Sequence, residues 1–418
     1  MNKPSHSFSA IHERVSAGGA DGVTGAFRDY TIASAFQPIF SLSHRNPVGY
    51  EALCRARLAD GSAVSPLTLF GQAYCESDSV LIDRLCRAVH VRNFAACADK
   101  KSWIFLNVNP LVTVVGKNYG SFFEDMLAHN DIAPSQVVIE ILEQNTHDES
   151  ILAAAVNYYK ELGCLVAIDD FGASHSNFDR IWKIQPDIVK FDRSIIVQAE
   201  ASRVVRKALP SLVSLIQELG CIALMEGVET EQQALISLDS NVDLVQGYYF
   251  GYPRAGLVEQ SDEDNMLSQL CVKHTAFSEA LRVRYRETVD HIREEFKQAL
   301  RVIAAGSKQP ELACDKLLEL PNVTRIYFLD ELGFQIGKNV TNKQMPEYAD
   351  PRYRPLSEAT DANWSRRFYF RQAMLNPGEI QITRPYRSLT GKSQCITLSA
   401  LLDTPGGKLV ACLDLGWS

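Results

Sequence analysis

Short apolar runs alternate with longer amphipathic stretches from about residue 30 to residue 253, and no other feature of the chain restricts its fold so strongly. The runs cover 35–42, 48–53, 103–108, 137–142, 165–169, 188–191, 221–226 and 244–250. Between them, stretches such as 79–97 and 151–162 carry apolar residues at helical spacing, and Gly163 follows the second as a C-cap. Strands that are apolar along their whole length are buried on both faces, as in a parallel sheet covered by helices. Eight of them predict an α/β fold, a (β/α)8 TIM-like barrel with a mostly parallel sheet. The chemistry of such a barrel collects at the C-terminal ends of its strands.

Several runs end in acid. Glu51 lies in Gly-Tyr-Glu-Ala-Leu-Cys-Arg at 49–55, Glu140 and Glu143 close the run at 137–143, Asp169 and Asp170 that at 165–172, and Glu226 and Glu229 that at 222–229. Carboxylates gathered at one mouth repel each other unless cations neutralise them, so the pattern asks for a divalent metal. Glu51, Asn107, Glu140 and Asp169 offer three carboxylates and an amide oxygen to Mg2+ or Mn2+. Asp170 and Glu226 offer a second set, with Asp169 bridging. Two ions roughly 4 Å apart activate a water and clamp both oxygens of an in-line displacement. Lys190 puts a cation at another strand end, where it can orient that water or offset developing charge. Each element alone has a plainer reading. A glutamate at a strand end is ordinarily solvated, Asp-Asp often opens a loop, and Lys190 between Asp187 and Asp192 suits a simple ion pair. The argument rests on their number and order.

The rest of the chain sets outer bounds. With 418 residues and 46% hydrophobic content it holds two or three globular domains. Its net charge of −8 offers no general attraction for polymeric nucleic acid or an anionic membrane, so a phosphate-bearing ligand must be captured locally. No apolar run approaches 18 residues, so no membrane span is expected. Ten cysteines without a Cys-x-x-Cys pair suit reduced thiols and a cytoplasmic location. Residues 1–28 read as a flexible N-terminal extension, 29–258 as the barrel, 262–306 as a helical linker and 307–418 as a small α+β domain. The linker repeats apolar residues at steps of three or four from Phe277 to Ile303, a stripe for packing on a neighbouring domain or for dimerisation and signalling. The last region shows β-like segments at 325–329, 334–336, 367–370, 379–383, 395–401 and 408–415, with turns at 330–333 and 403–407. There Tyr327, Arg366, Arg367, Tyr369, Arg384 and Tyr386 suggest a small-ligand pocket, against the plainer reading of solvated arginines and core aromatics.

Taken together, residues 30 to 255 resemble the EAL domain, the metal-dependent phosphodiesterase family that cleaves cyclic di-GMP to the linear dinucleotide pGpG. The signature and its trailing arginine correspond to Glu51-Ala52-Leu53 and Arg55, the asparagine strand to Asn107, and the E-x-x-E element to Glu140 and Glu143. The DDFG loop corresponds to 169–172, the lysine motif to 187–190, E-G-V-E to 226–229 and the late Gln-Gly-Tyr to 246–248. The resemblance implies one metal on Glu51, Asn107, Glu140 and Asp169, and another on Asp169, Asp170 and Glu226. It implies Lys190 on the attacking water, Glu143 bracing the DDFG loop, and Glu229 and Gln246 supporting the site. Arg55 would take a ligand phosphate and Gln37, in Phe-Gln-Pro-Ile, would lie near the guanine or ribose. Mg2+ or Mn2+ would support activity, Ca2+ would inhibit, and a homodimer would form. The chain departs from the family after DDFG, where Ser174 replaces a glycine and His175 a tyrosine, and at 250–253, which lacks the usual basic residue before proline. Those departures leave a catalytically silent cyclic di-GMP receptor as the alternative, and a metal-dependent lyase on the same barrel as a more distant one. The C-terminal region resembles PAS or Cache sensor domains, with an unknown ligand.

Overall fold

The computed structural model describes residues 6–17, 19, 22–97, 101–116, 121–142, 149–173, 178–257, 263–306, 312–342, 359–388 and 394–417. Contacts divide the chain into two compact units, Met1–Ala276 and Phe277–Ser418.

In the first unit eight strands close into a barrel. They are β1 (Tyr30–Ser41), β2 (Asn46–Leu58), β3 (Trp103–Asn107), β4 (Val137–Leu142), β5 (Leu165–Phe171), β6 (Ile188–Phe191), β7 (Ile222–Met225) and β8 (Leu244–Val245). From β2 round to β8 every neighbouring pair is parallel, whereas β1 runs antiparallel to both β2 and β8. Chain length explains the exception. Residues 42–45 make a tight turn with Arg45 at φ 59°, and a parallel crossover needs a dozen or more residues.

The barrel interior holds a layer formed by Ile39, Phe105, Val138, Ala167, Ile188, Leu224 and Leu244, one from each strand except β2. On β2 the matching position is Gly49, where a Cβ would come 2.8 Å from the Phe105 ring, so Phe105 fills the space instead. Strand side chains repeat their direction every two residues. The next inward positions, one layer nearer the mouth, are therefore Glu51, Asn107, Glu140, Asp169, Lys190, Glu226 and Gln246, with Gln37 on the reversed β1.

Two expectations change here. Within 1–28, Val15–Ala17 pairs with Val23–Phe27, which continues antiparallel onto β1, so this part is ordered. Buried Ile11 and Phe27 anchor it. The run at 244–250 is a strand only at Leu244–Val245, because the chain turns at Gly247. At that glycine an added Cβ would lie 2.1 Å from the Val228 carbonyl oxygen.

The second unit is an antiparallel sheet of β9 (Val323–Leu329), β10 (Gln335–Thr341), β11 (Gln394–Thr404) and β12 (Gly407–Trp417), with short strands Gln381–Ile382 and Tyr386–Arg387 on β11. The segment at 367–370, expected as β, opens the helix Phe368–Leu375 instead, burying Tyr369, Phe370 and Ala373 on one side. The long helix is continuous over Glu263–Ala304. Leu267 and Leu270 enter the first core, while Val289, Ile292, Phe296, Leu300 and Ile303 enter the second. This part of the apolar stripe thus packs within its own unit. All ten cysteines are free thiols, and among the described residues no helix is long and apolar enough to cross a membrane.

Candidate metal centre

At the barrel mouth a single ammonium sits among carboxylates. Lys190, only 1% exposed, contacts Glu140 Oε1, lies 2.5 Å from Glu226 Oε1, 3.2 Å from Asp169 Oδ1 and 3.8 Å from Glu51 Oε2. Glu140 is fully buried, and its Oε2 finds no hydrogen-bond donor among the described residues. Glu51 is better served: Asn107 Nδ2 donates to its Oε1 at 3.0 Å and Gln246 Nε2 to its Oε2 at 2.6 Å. Gln246 Nε2 also reaches Gln37 Oε1 at 3.1 Å, and Gln37 Nε2 donates to the Gly251 carbonyl at 3.2 Å.

Strict alternation would send Asp169 and Asp170 to opposite faces of β5. The register shifts between Ile168 and Phe171, and Asp170 adopts φ 57°, a left-handed conformation that aspartate tolerates better than most residues. Asp169, Asp170 and Glu226 consequently each present a carboxylate oxygen within 4.8 Å of one another.

The electrostatics follow from crowding. Burial, with the charges of Asp169 and Glu51, lifts the Glu226 carboxyl to about 8 in spite of Lys190. Burial and the nearby charges of Asp169 and Asp192 lift Asp170 to about 6. Burial and Glu51 hold Glu140 well above the carboxylate range. For Glu51, burial acts upward, but Lys190 and the donated hydrogen bonds outweigh it and bring the carboxyl below its usual value. Burial opposes the charge on Lys190, but Asp169, Glu140, Glu226 and Glu51 together hold its pKa well above normal, so it remains an ammonium.

Four carboxylates therefore contact one cation, with Asp170 beside Asp169 and Glu226. This donor set fits further positive charge: hard oxygen ligands, a carboxylate oxygen inside the ring with no donor among the described residues, and carboxyls that burial and mutual repulsion raise in spite of Lys190.

The other expected residues fall around this ring. Asn107 stands exposed at the rim, still bonded to Glu51. Arg55 is exposed on β2 four residues beyond Glu51, its Nη1 donating to the Cys54 carbonyl at 3.0 Å. Glu229 turns aside to an ion pair with Arg193 at 2.7 Å. Glu143, Ser174 and His175 lie outside the described residues. Sequence reasoning passed over Arg193 and, while it marked 246–248 and 250–253, the stacking of the exposed Tyr248 and Tyr252 rings, whose centroids are 4.6 Å apart just beyond β8. Two tyrosines four residues apart after Gln246-Gly247 were the available signal.

Comparison with known proteins bears on the family and the fold. The family described as the EAL domain matches residues 22–253. The uncharacterized EAL-domain containing protein YkuI of Bacillus subtilis is 27% identical over 344 residues, covering 80% of this chain and 82% of YkuI. The cyclic di-GMP phosphodiesterase NbdA of Pseudomonas aeruginosa is 28% identical over 239 residues, covering 54% of this chain and 30% of NbdA. The chain spans less than half the length of the phosphodiesterase relatives it matches. Among solved structures, crystalline YkuI in complex with substrate c-di-GMP and calcium superposes with a TM-score of 0.76 at 24% identity, covering 93% of this chain and 96% of YkuI, a likeness of fold.

Proposed function

Because this chain belongs to the EAL domain family, we propose that its barrel mouth is the centre of a metal-dependent phosphodiesterase hydrolysing cyclic di-GMP to linear pGpG. One observation carries the reading: a ring with one polar side chain from each strand, in which four carboxylates surround a single ammonium and, among the described residues, a buried oxygen of Glu140 lacks a donor. Cyclic di-GMP as substrate is supported by the name of NbdA and by the molecule bound in crystalline YkuI.

Glu51, Asn107, Glu140 and Asp169 would hold one Mg2+ or Mn2+, and Asp169, Asp170 and Glu226 a second. Bound ions supply Lewis-acid polarisation of the phosphodiester and an acidified water. The remaining work falls to the chain. Lys190, held protonated, donates hydrogen bonds to the attacking water or a phosphoryl oxygen and does not act as a base. Glu226 must release a proton as the site loads, because its carboxyl, raised to about 8, retains one at neutrality, and Asp170, raised to about 6, does so on the acid side of it. Gln246 and Asn107 hold Glu51 in place, and Gln37 steadies Gln246. Arg55 suits a phosphate with its guanidinium fork, and the Tyr248–Tyr252 stack suits a guanine face. Glu143, outside the described residues, is assigned by the family resemblance alone to the DDFG loop, and Glu229, through Arg193, fixes the segment after β7. In the reaction the water oxygen bonds to phosphorus and the bond to the ribose 3′ oxygen breaks. The proton lost by water ends on that oxygen, leaving a 5′-phosphate.

The C-terminal unit is read as a sensor-like regulator and the protein as a homodimer. Both readings predict that deleting the residues after Gly306 changes the basal rate or the oligomeric state, the latter measured by light scattering as mass relative to one chain. The central test is incubation with cyclic di-GMP and Mg2+ or Mn2+, following pGpG by chromatography, with binding measured in Ca2+, where turnover is expected to be suppressed. Metal-dependent pGpG supports the enzyme. Tight binding without product favours the silent receptor, and absence of both rejects cyclic di-GMP as the ligand.

A further inference from the structure

The C-terminal unit sorts its side chains by sheet face. Val323, Ile326 and Phe328 of β9, with Ala411, Leu413 and Leu415 of β12, join the core that holds the helical residues Val289 to Ile303. The alternate positions, Tyr327, Leu329, Val410 and Cys412, face the other way with Tyr369 and Phe370 of the helix Phe368–Leu375. This second face carries a polar inset. Asp414, fully buried, accepts from Arg325 Nε at 2.7 Å and from Thr397 Oγ1 at 2.6 Å. Tyr386 Oη lies 2.6 Å from Thr397 Oγ1.

Two adjoining cavities open on that face and share Arg367, Tyr369 and Tyr386 as walls. The smaller, about 20 Å3, reaches the Arg325 and Tyr327 side of the inset. The larger, about 470 Å3, is completed by Phe368, Thr383, Arg384 and Pro385. That volume lies within the range of small-molecule sites, about 300–1,000 Å3. The rings of Tyr369 and Tyr386 stack at 6.3 Å and 27° along the shared wall. The Arg367 guanidinium lies 5.9 Å from the centroid of the Trp364 ring, which lines the smaller cavity.

Charge decides what such a space accepts. No carboxylate lines either cavity among the described residues, and Asp414 is already engaged by Arg325 and Thr397. Among the described residues neither Arg367 nor Arg384 is paired with an acid. Two guanidinium forks beside aromatic walls favour an anion, and forks match the two oxygens of a carboxylate. The volume is far larger than an inorganic anion needs, and the ring faces call for a flat apolar body.

We propose that the C-terminal unit binds a small organic acid here, its flat body against Tyr369, Tyr386 and Phe368 and its carboxylate on Arg367 and Arg384. The site is separate from the barrel chemistry and holds whether or not the barrel hydrolyses cyclic di-GMP. The test is calorimetric titration of the full chain with 2-naphthoate, benzoate and indole-3-acetate. 2-Naphthalenemethanol serves as the neutral counterpart and inorganic phosphate as the bare anion. The expected result is saturable binding of at least one carboxylate, at least 10-fold tighter than the alcohol and than phosphate. Binding should weaken at least 10-fold in Arg384→Ala, an exposed position whose loss leaves the fold intact, and further in Arg367→Ala/Arg384→Ala. Glu51→Ala should bind the same probe as wild type does. The proposal is overturned if none of the three carboxylates binds at millimolar concentration, if the alcohol binds equally well, or if the arginine variants bind unchanged.

Discussion

Lys190 is the residue on which the metal-free site depends, since one buried ammonium holds together side chains that would otherwise repel. Removing one partner from a buried ionic cluster typically costs about 3–5 kcal/mol. Lys190→Met should therefore destabilise the metal-free chain by that order in urea unfolding, and saturating Mn2+ should recover most of the loss. An equal loss with and without Mn2+ would place the divalent ions elsewhere. Glu51→Ala should lower pGpG formation at least 100-fold while leaving the fold intact, because Asn107 and Gln246 lose only an exposed or replaceable acceptor. Substantial residual hydrolysis would remove Glu51 from the metal shell. Glu140, Asp169 and Glu226 were legible in the sequence, since each ends an apolar run two residues beyond a core position. The use of Glu229 was not. Its partner Arg193 stands 36 positions earlier, and no local spacing announces an ion pair of that kind.

Among the elements, two backbone features aim the ligands. The bulge on β5 turns Asp169 and Asp170 toward one point, and Asp170 takes a positive φ for it. Asp170→Gly should keep stability within about 1 kcal/mol of wild type, as glycine adopts that conformation freely. It should also reduce Mn2+ binding by one equivalent in calorimetry, and retention of both equivalents would exclude Asp170 as a ligand. Gly247 passes so close to Val228 that Gly247→Ala forces the backbone apart. The expected cost is roughly 1–3 kcal/mol, together with weaker Mn2+ binding as Gln246 shifts away from Glu51. The barrel was legible because buried parallel strands read as unbroken apolar runs. The direction of β1 was not, because apolarity says nothing of polarity along the chain, although the short turn at 42–45 carried the information. Arg367–Tyr369–Phe370 misled for a different reason: aromatic residues favour strands in isolation, but here Tyr369, Phe370 and Ala373 pack a helix onto the sheet.

For the molecule as a whole, the site predicts how stability depends on pH. The Glu226 and Asp170 carboxyls are raised to about 8 and about 6, so the folded metal-free chain keeps protons that the unfolded chain has released above about pH 4–5. Stability should then fall as pH rises from about 5 to 8. Glu51 acts in a lower window, since its depressed carboxyl loses stability only on acidification below the ordinary carboxylate range. Lys190, raised, contributes unchanged across this interval. Saturating Mn2+ should flatten or reverse the slope measured by thermal unfolding at pH 5.5, 6.5 and 8, and a slope unaffected by metal would contradict the assignment. The division into a barrel and a smaller β-rich unit was readable from the change of apolar period near Gly306. The contact boundary at Ala276/Phe277 was not, because it falls inside one continuous helix whose sequence does not break there. The most direct measurement of the central claim is the initial rate of pGpG formation against free Mn2+ for wild type and Asp170→Gly. The account predicts no rate without metal, a rise with an order above one in wild type, and a rate at least 100-fold lower in the variant. Hydrolysis that persists in a chelator, or an unchanged rate in Asp170→Gly, would contradict it.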